Sequence, residues 1–139
     1  MQHPVRWISE RDSVEVAACI MREESIGFLP VCDRSGRFTG TLTDRDIAIR
    51  VVAEGKCGGT EVGAVMTRET VMCSADDDVE RAAEVMERQK KQRIVCADPG
   101  GHVLGILSIT DLARHSTPAL VVGDALRQLT ARDARGATH

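Results

Sequence analysis

Gly40-Thr41-Leu42-Thr43-Asp44-Arg45-Asp46 is answered 65 residues later by Gly105-Ile106-Leu107-Ser108-Ile109-Thr110-Asp111. The match extends well beyond this corner. Sliding the chain by 65 residues lays 9–48 on 74–113 without a gap, and 13 of the 40 positions are identical. Unrelated segments of ordinary composition would share about 3. Upstream of the corner the identities include Ser9/Ser74, Asp12/Asp77, Val14/Val79, Ala17/Ala82, Ala18/Ala83, Met21/Met86, Asp33/Asp98 and Gly36/Gly101. They mark helix faces, turns and caps, so a structural unit has been duplicated. Two copies are too few for a solenoid, and a closed pair with pseudo-two-fold symmetry and a shared core is expected.

Within each copy the period of the apolar residues changes along the chain. Val14, Ala17, Ala18 and Met21, and their counterparts Val79, Ala82, Ala83 and Met86, recur at the spacing of one helix face. Short apolar runs follow at 28–32 and 94–97, each ending in a turn, Asp33-Arg34-Ser35-Gly36 or Asp98-Pro99-Gly100-Gly101. Second strands at 38–42 and 103–107 run directly into helices at 47–53 and 112–115, and short strands near 5–8 and 70–73 precede the whole. The predicted fold is α/β (α+β), two pseudo-symmetric β-α-β-β-α repeats. Gly55-Lys56-Cys57-Gly58-Gly59-Thr60 reads as a flexible connector and lacks the Gly-Lys-Ser/Thr of a phosphate-binding P-loop. Residues 1–58 are assigned to repeat 1, 59–117 to repeat 2, and 118–139 to a C-terminal helix with a frayed tail.

Composition narrows the function. With 139 residues and 42% apolar content the chain suits one compact assembly. A net charge of -3, one Trp and two Phe leave neither a basic field nor a stacking platform for nucleic acid. Five scattered cysteines without a Cys-x-x-Cys pair disfavour a disulfide framework or a zinc knuckle and fit a reducing cytoplasm. No stretch approaches the length of a membrane span or a signal core, so no membrane partner is expected.

The repeated corner contains hydroxyl-x-x-Asp in both copies. A Ser or Thr N-cap followed three residues later by an acid satisfies free backbone N–H groups, which explains the motif structurally. The same helix start also offers donors and a positive dipole end to a phosphate, beside a hydroxyl and a carboxylate that suit a sugar's hydroxyls. An enzyme would need a nucleophile with its base, a carboxylate pair or a metal cluster. Asp44 and Asp46 point apart on a helix, and His3, His102, His115 and His139 are scattered, so neither catalysis nor a metal is assigned.

Two copies of this plan, each ending in Gly-apolar-x-Ser/Thr-x-x-Asp or a close variant, resemble a tandem pair of cystathionine beta-synthase (CBS) domains, a Bateman module. Thr41 takes the apolar place in the first copy. Gly27-Phe28-Leu29-Pro30-Val31 and Thr43-Asp44-Arg45-Asp46-Ile47 carry the likeness most specifically. The resemblance implies a regulatory module without catalysis, binding AMP, ADP, ATP, NAD(H) or S-adenosylmethionine in clefts between the repeats, with no required cofactor. It implies one cleft from Val5, Ile26, Gly27, Ile106, Ser108, Thr110 and Asp111, and another from Thr43, Asp46, Thr67, Val71, Lys91 and Gln92. Arg45 stands where the second hydroxyl is usual and is assigned to a phosphate. A homodimer and a separate effector protein are the expected partners. The alternative function is a ligand-free dimerisation scaffold.

Overall fold

In the computed structural model, residues 6–108 are described together with Val122, Gly123 and Leu126. The chain divides into two compact units, Arg6–Thr70 and a second that takes in Val71 onward. In the first, β1 (Ile8–Ser9), α1 (Val14–Glu24), β2 (Phe28–Cys32) and β3 (Phe38–Thr43) lead into α2 (Asp44–Ile47). The helix then widens into a π turn at Ala48–Val52; a 3-10 turn at Val62–Ala64 and β4 (Thr67–Arg68) follow. The sheet order is β1-β2-β3-β4, with β1 parallel to β2 and the other pairs antiparallel. The second unit repeats this with β5 (Met72–Cys73), α3 (Val79–Arg88), β6 (Arg93–Ala97) and β7 (Val103–Ser108), in the order β5-β6-β7. This is the α/β plan expected from the periodicity; the helix expected at 112–115 lies outside the described residues.

The duplicated polar residues prove to be local fasteners. The Ser9 N–H donates to Asp12 Oδ2 at 3.0 Å and the Ser74 N–H to Asp77 Oδ2 at 2.9 Å, closing the same turn between strand and helix. Ser13 Oγ then caps α1 by accepting from the Val16 N–H, and Asp78 caps α3 through the Arg81 N–H. Val14, Ala17 and Met21, like Val79, Ala82 and Met86, face inward, whereas Ala18 of the same predicted stripe is exposed. Asp33 Oδ1 gathers the Ser35 N–H, the Ser35 hydroxyl and the Arg37 N–H, which holds the β2–β3 turn while Gly36 takes φ 83°. Asp98 and Gly101 (φ 86°) do the same between β6 and β7, with the His102 N–H at 2.9 Å.

Among the described residues each unit buries an apolar cluster of its own. Ile8, Leu29, Val31 and Leu42 join the face of α1 with Val51, Val62, Val65 and Met66 in the first. Cys73, Ile94, Cys96 and Leu107 join the face of α3 with Val122 in the second. Each core is completed by a segment that the 65-residue offset does not reveal. The Val62 and Gly63 N–H groups donate to the Asp12 and Glu10 carbonyls at 2.8 Å each, and those of Val122 and Gly123 to Asp77 and Ala75 at 2.7 and 3.0 Å. Met66 then lies against Gly40 as Leu126 lies against Gly105. Val62-Gly63-x-x-Met66 and Val122-Gly123-x-x-Leu126 are thus a second repeated element, at an offset of 60.

The glycine-rich connector is also not loose. Its Gly58 and Thr60 carbonyls accept from the Glu15 and Val14 N–H groups at 3.0 and 2.9 Å. The first N–H groups of a helix have no partner inside it, and the connector supplies acceptors for two of them.

Candidate functional site

At the end of β3 the backbone leaves the sheet through Thr43, which is extended (φ -114°, ψ 162°), and enters α2. Thr43 Oγ1 accepts from the Asp46 N–H at 3.1 Å while Asp46 Oδ2 accepts from the Thr43 N–H at 3.0 Å. This reciprocal pair is a capping box, and it leaves Asp46 with a side chain only 14% exposed. Arg50, one turn on, lies 3.9 Å from Asp46 Oδ1 and donates to the Val65 and Met66 carbonyls at 3.2 and 3.1 Å. One guanidinium therefore ties the corner carboxylate to the segment that leads into β4.

Gly27 precedes β2 beside this corner, since Phe28 and Thr43 are paired across β2 and β3. Its carbonyl accepts from the Asp44 N–H at 3.0 Å, and a Cβ on Gly27 would stand 2.7 Å from Asp44 Oδ2. A side chain at this position would have to push the exposed Asp44 carboxylate aside. The corner so assembled presents a helix N-terminus, a hydroxyl and a fixed carboxylate within a few residues, a set able to hold vicinal hydroxyls and a phosphate.

The remaining sequence-derived site residues are placed as follows. Ile26 and Arg45 are exposed; Gly27, Thr43, Asp46 and Thr67 are half-buried, with Thr67 on β4 opposite Thr41. In the second unit Val71 packs on the core, Lys91 is half-buried with its N–H on the Met86 carbonyl at 2.8 Å, and Gln92 is exposed. Ile106 and Ser108 of β7 are half-buried and pair with Val95 and Arg93. Val5, Thr110 and Asp111 lie outside the described residues. The structure thus brings Gly27, Thr43 and Asp46 together within one unit.

A cavity of about 560 Å³ at the opposite end of the first sheet escaped the sequence reading; Glu10, Arg11, Asp33, Arg34, Glu61 and Arg68 contribute to its lining. Arg68 Nη2 pairs with Glu10 Oε1 at 2.7 Å, and Thr39 Oγ1 donates to the other oxygen at 3.1 Å. In the second copy Glu10, Arg11 and Arg34 are replaced by Ala75, Asp76 and Pro99, so a search guided by repetition gives these positions no weight. Beside this end Cys32 is buried, and burial first, then the charge of Asp33, pushes its thiol up to about 11. It stays protonated at neutral pH. Among the described residues no group of three His, Cys, Asp or Glu side chains could hold a metal ion, and no helix is long and apolar enough to cross a membrane.

The CBS domain family model matches residues 1–53 and 62–117. The chain is 32% identical over 130 residues to the CBS domain-containing protein YhcV of Bacillus subtilis, covering 94% of this chain and 91% of that protein. It is also 32% identical over 116 residues to Hypoxic response protein 1 of Mycobacterium tuberculosis, covering 83% and 80%. The crystal structure of Hypoxic Response Protein I with two coordinated zinc ions aligns with a TM-score of 0.72, over 81% of this chain and 92% of that one. The CBS domain pair of protein MJ0100, in complex with 5-methylthioadenosine and S-adenosyl-L-methionine, aligns with a TM-score of 0.69 at 26% identity, over 82% and 92%. The corner, the duplicated plan and these matches agree: the chain belongs to the CBS-domain family and carries two CBS repeats in tandem.

Proposed function

We propose that this protein is a regulatory sensor of adenosine-containing ligands, with its binding clefts between the two repeats. The observation that carries the reading is the preformed Thr43–Asp46 corner, whose carboxylate is already oriented by Thr43 and Arg50. An ordered carboxylate grips a ribose without the entropy cost of ordering it on binding. The adenosyl ligands of the MJ0100 domain pair support the ligand class. In one cleft Asp46 holds the ribose hydroxyls, Thr43 and Arg45 serve ribose and phosphate, and Thr67, Val71, Lys91 and Gln92 line the base. In the other, Asp111, Thr110 and Ser108 take the polar roles and Val5, Ile26, Gly27 and Ile106 enclose the base. No catalytic step is assigned. The ligand shifts the population between arrangements of the two halves, and a separate effector protein reads the outcome in a reducing cytoplasm.

Calorimetry with AMP, ADP, ATP, NADH and S-adenosylmethionine tests the reading. At least one should bind the wild type, and Asp46→Asn or Asp111→Asn should weaken it tenfold or more, about 1.4 kcal/mol. If none of the five binds, or both variants bind as the wild type does, the sensor reading fails.

A second reading, dimerisation, is favoured by exposed apolar side chains on the first unit's helical segments, where Val16, Ile49 and Val52 are 46%, 51% and 70% exposed. Sedimentation equilibrium without nucleotide decides it. A dimer present in the ligand-free chain supports the scaffold role, and a monomer removes it.

A further inference from the structure

We propose that Cys73 and Cys96 form a reversible oxidation site, closing to a disulfide across β5 and β6 when the chain meets a hydroperoxide. The two residues are direct partners in the parallel β5/β6 ladder. Neighbouring strands lie about 4.8 Å apart, inside the Cα separation of about 4.4–6.8 Å that a disulfide spans. Paired residues project to the same face of a sheet, and here both thiols enter the second unit's core, 4% and 0% exposed and hydrogen-bonded to each other.

Packing alone does not call for sulfur at these places. The equivalent pair in the first unit is Ile8 and Val31, in the same register and equally buried. Nor do the thiols belong to a recognisable metal cluster among the described residues. All five cysteines are free in this structure, so the reduced form is the one described.

The fold also supplies a way in. Among the described residues β5 has only two residues and stands last in its sheet, and a strand held by so few ladder bonds is a place for local opening. A small hydroperoxide is the oxidant class that such an opening admits. The thiols are not equivalent. The hydrogen bond to Cys96, reinforced by burial, keeps the proton on Cys73, and the same bond holds Cys96 below its ordinary value. Either thiol leads to the same disulfide, and the step follows with Cys96 as the attacking sulfur.

Its thiolate attacks one peroxide oxygen, the O–O bond breaks, and the departing hydroxide takes up the proton lost by Cys96 to give water. Cys73 Sγ then attacks the sulfur of the Cys96 sulfenic acid, the S–O bond breaks, and hydroxide leaves with the Cys73 proton as a second water. Two thiols are oxidised and one hydroperoxide is reduced. Directly paired strands sit near the short end of the disulfide window, which strains the bond and leaves it reducible. The closed loop spans α3, and in the sensor reading it fixes β5 just beyond Val71.

Peptide mapping of the full chain after hydrogen peroxide treatment and alkylation tests this. The expected product is a 73–96 linked peptide that has lost two hydrogens and is restored by dithiothreitol. On oxidation the melting temperature should rise by about 5 °C or more. The Cys73→Val/Cys96→Val protein, which copies the apolar pairing of the first unit, should show no such rise. Cys73 and Cys96 remaining reduced while exposed Cys57 reacts, or oxidising singly to sulfinic acid without linkage, overturns the proposal. Neither result depends on nucleotide binding, so this inference and the sensor reading fail separately.

Discussion

In the first unit a strand closes the sheet beside Gly40, where a Cβ would run into both Met66 and the Thr67 carbonyl. In the second the described neighbour of Gly105 is the Leu126 side chain, 2.6 Å from where a Cβ would lie. In both copies a longer apolar side chain occupies the space left by the missing Cβ, a methionine in one and a leucine in the other. The difference teaches that duplication preserves the socket more strictly than what fills it. The two cores repeat this at Ile8/Val31 and Cys73/Cys96, one register carrying two chemistries.

The largest effect should come from testing that socket. Gly40→Ala must displace the Thr67 carbonyl as well as Met66 and should cost about 3 kcal/mol, and Gly105→Ala, which meets Leu126, should cost about 1 kcal/mol or more. Urea unfolding measures both losses, and a Gly40→Ala protein as stable as the wild type would show that the socket yields.

A smaller and symmetric effect is expected where the helices end. Ser25 and Lys90 both hold positive φ, 54° and 56°, in the left-handed region that favours glycine. Ser25→Gly and Lys90→Gly should each stabilise by about 0.5–1 kcal/mol in thermal unfolding. Unequal gains would mean that the two ends are strained differently.

The smallest effect concerns pH. Asp33 is held below the usual carboxylate range first by the Ser35 hydroxyl and then by the Arg37 N–H, and Asp98 first by the His102 N–H. A carboxyl whose folded value is depressed contributes stability that is full above its unfolded value, about 3.9, and is lost as pH falls through the folded value. Asp33→Asn and Asp98→Asn should therefore flatten the acid limb of a stability-versus-pH curve and lower the plateau near neutrality. A curve that keeps its acid slope would show that neither turn carboxylate contributes.

Much of the candidate site was legible because its signals are local. Thr43 and Asp46 bond each other across three residues, so the spacing alone announces the capping box. The turns at Asp33 and Asp98 are equally local, and both were anticipated with their glycines. The spacing of Arg50 places it one turn past Asp46 but does not reveal its carbonyl partners, because Val65 and Met66 belong to a segment joined through the connector. The arginine-lined cavity gathers residues from four separate stretches, and no period or motif links them.

By itself the sequence determined the duplicated α/β plan, the helix faces, the turns and the hydroxyl–carboxylate corner, since each depends on side chains and N–H groups within a turn or two of one another. Tertiary structure alone decided that each unit buries an apolar cluster of its own among the described residues, that 62–66 and the residues Val122, Gly123 and Leu126 complete those clusters, and that Cys73 meets Cys96. Those outcomes depend on which distant backbone groups find partners and which apolar surfaces meet, and neighbours along the chain do not encode either.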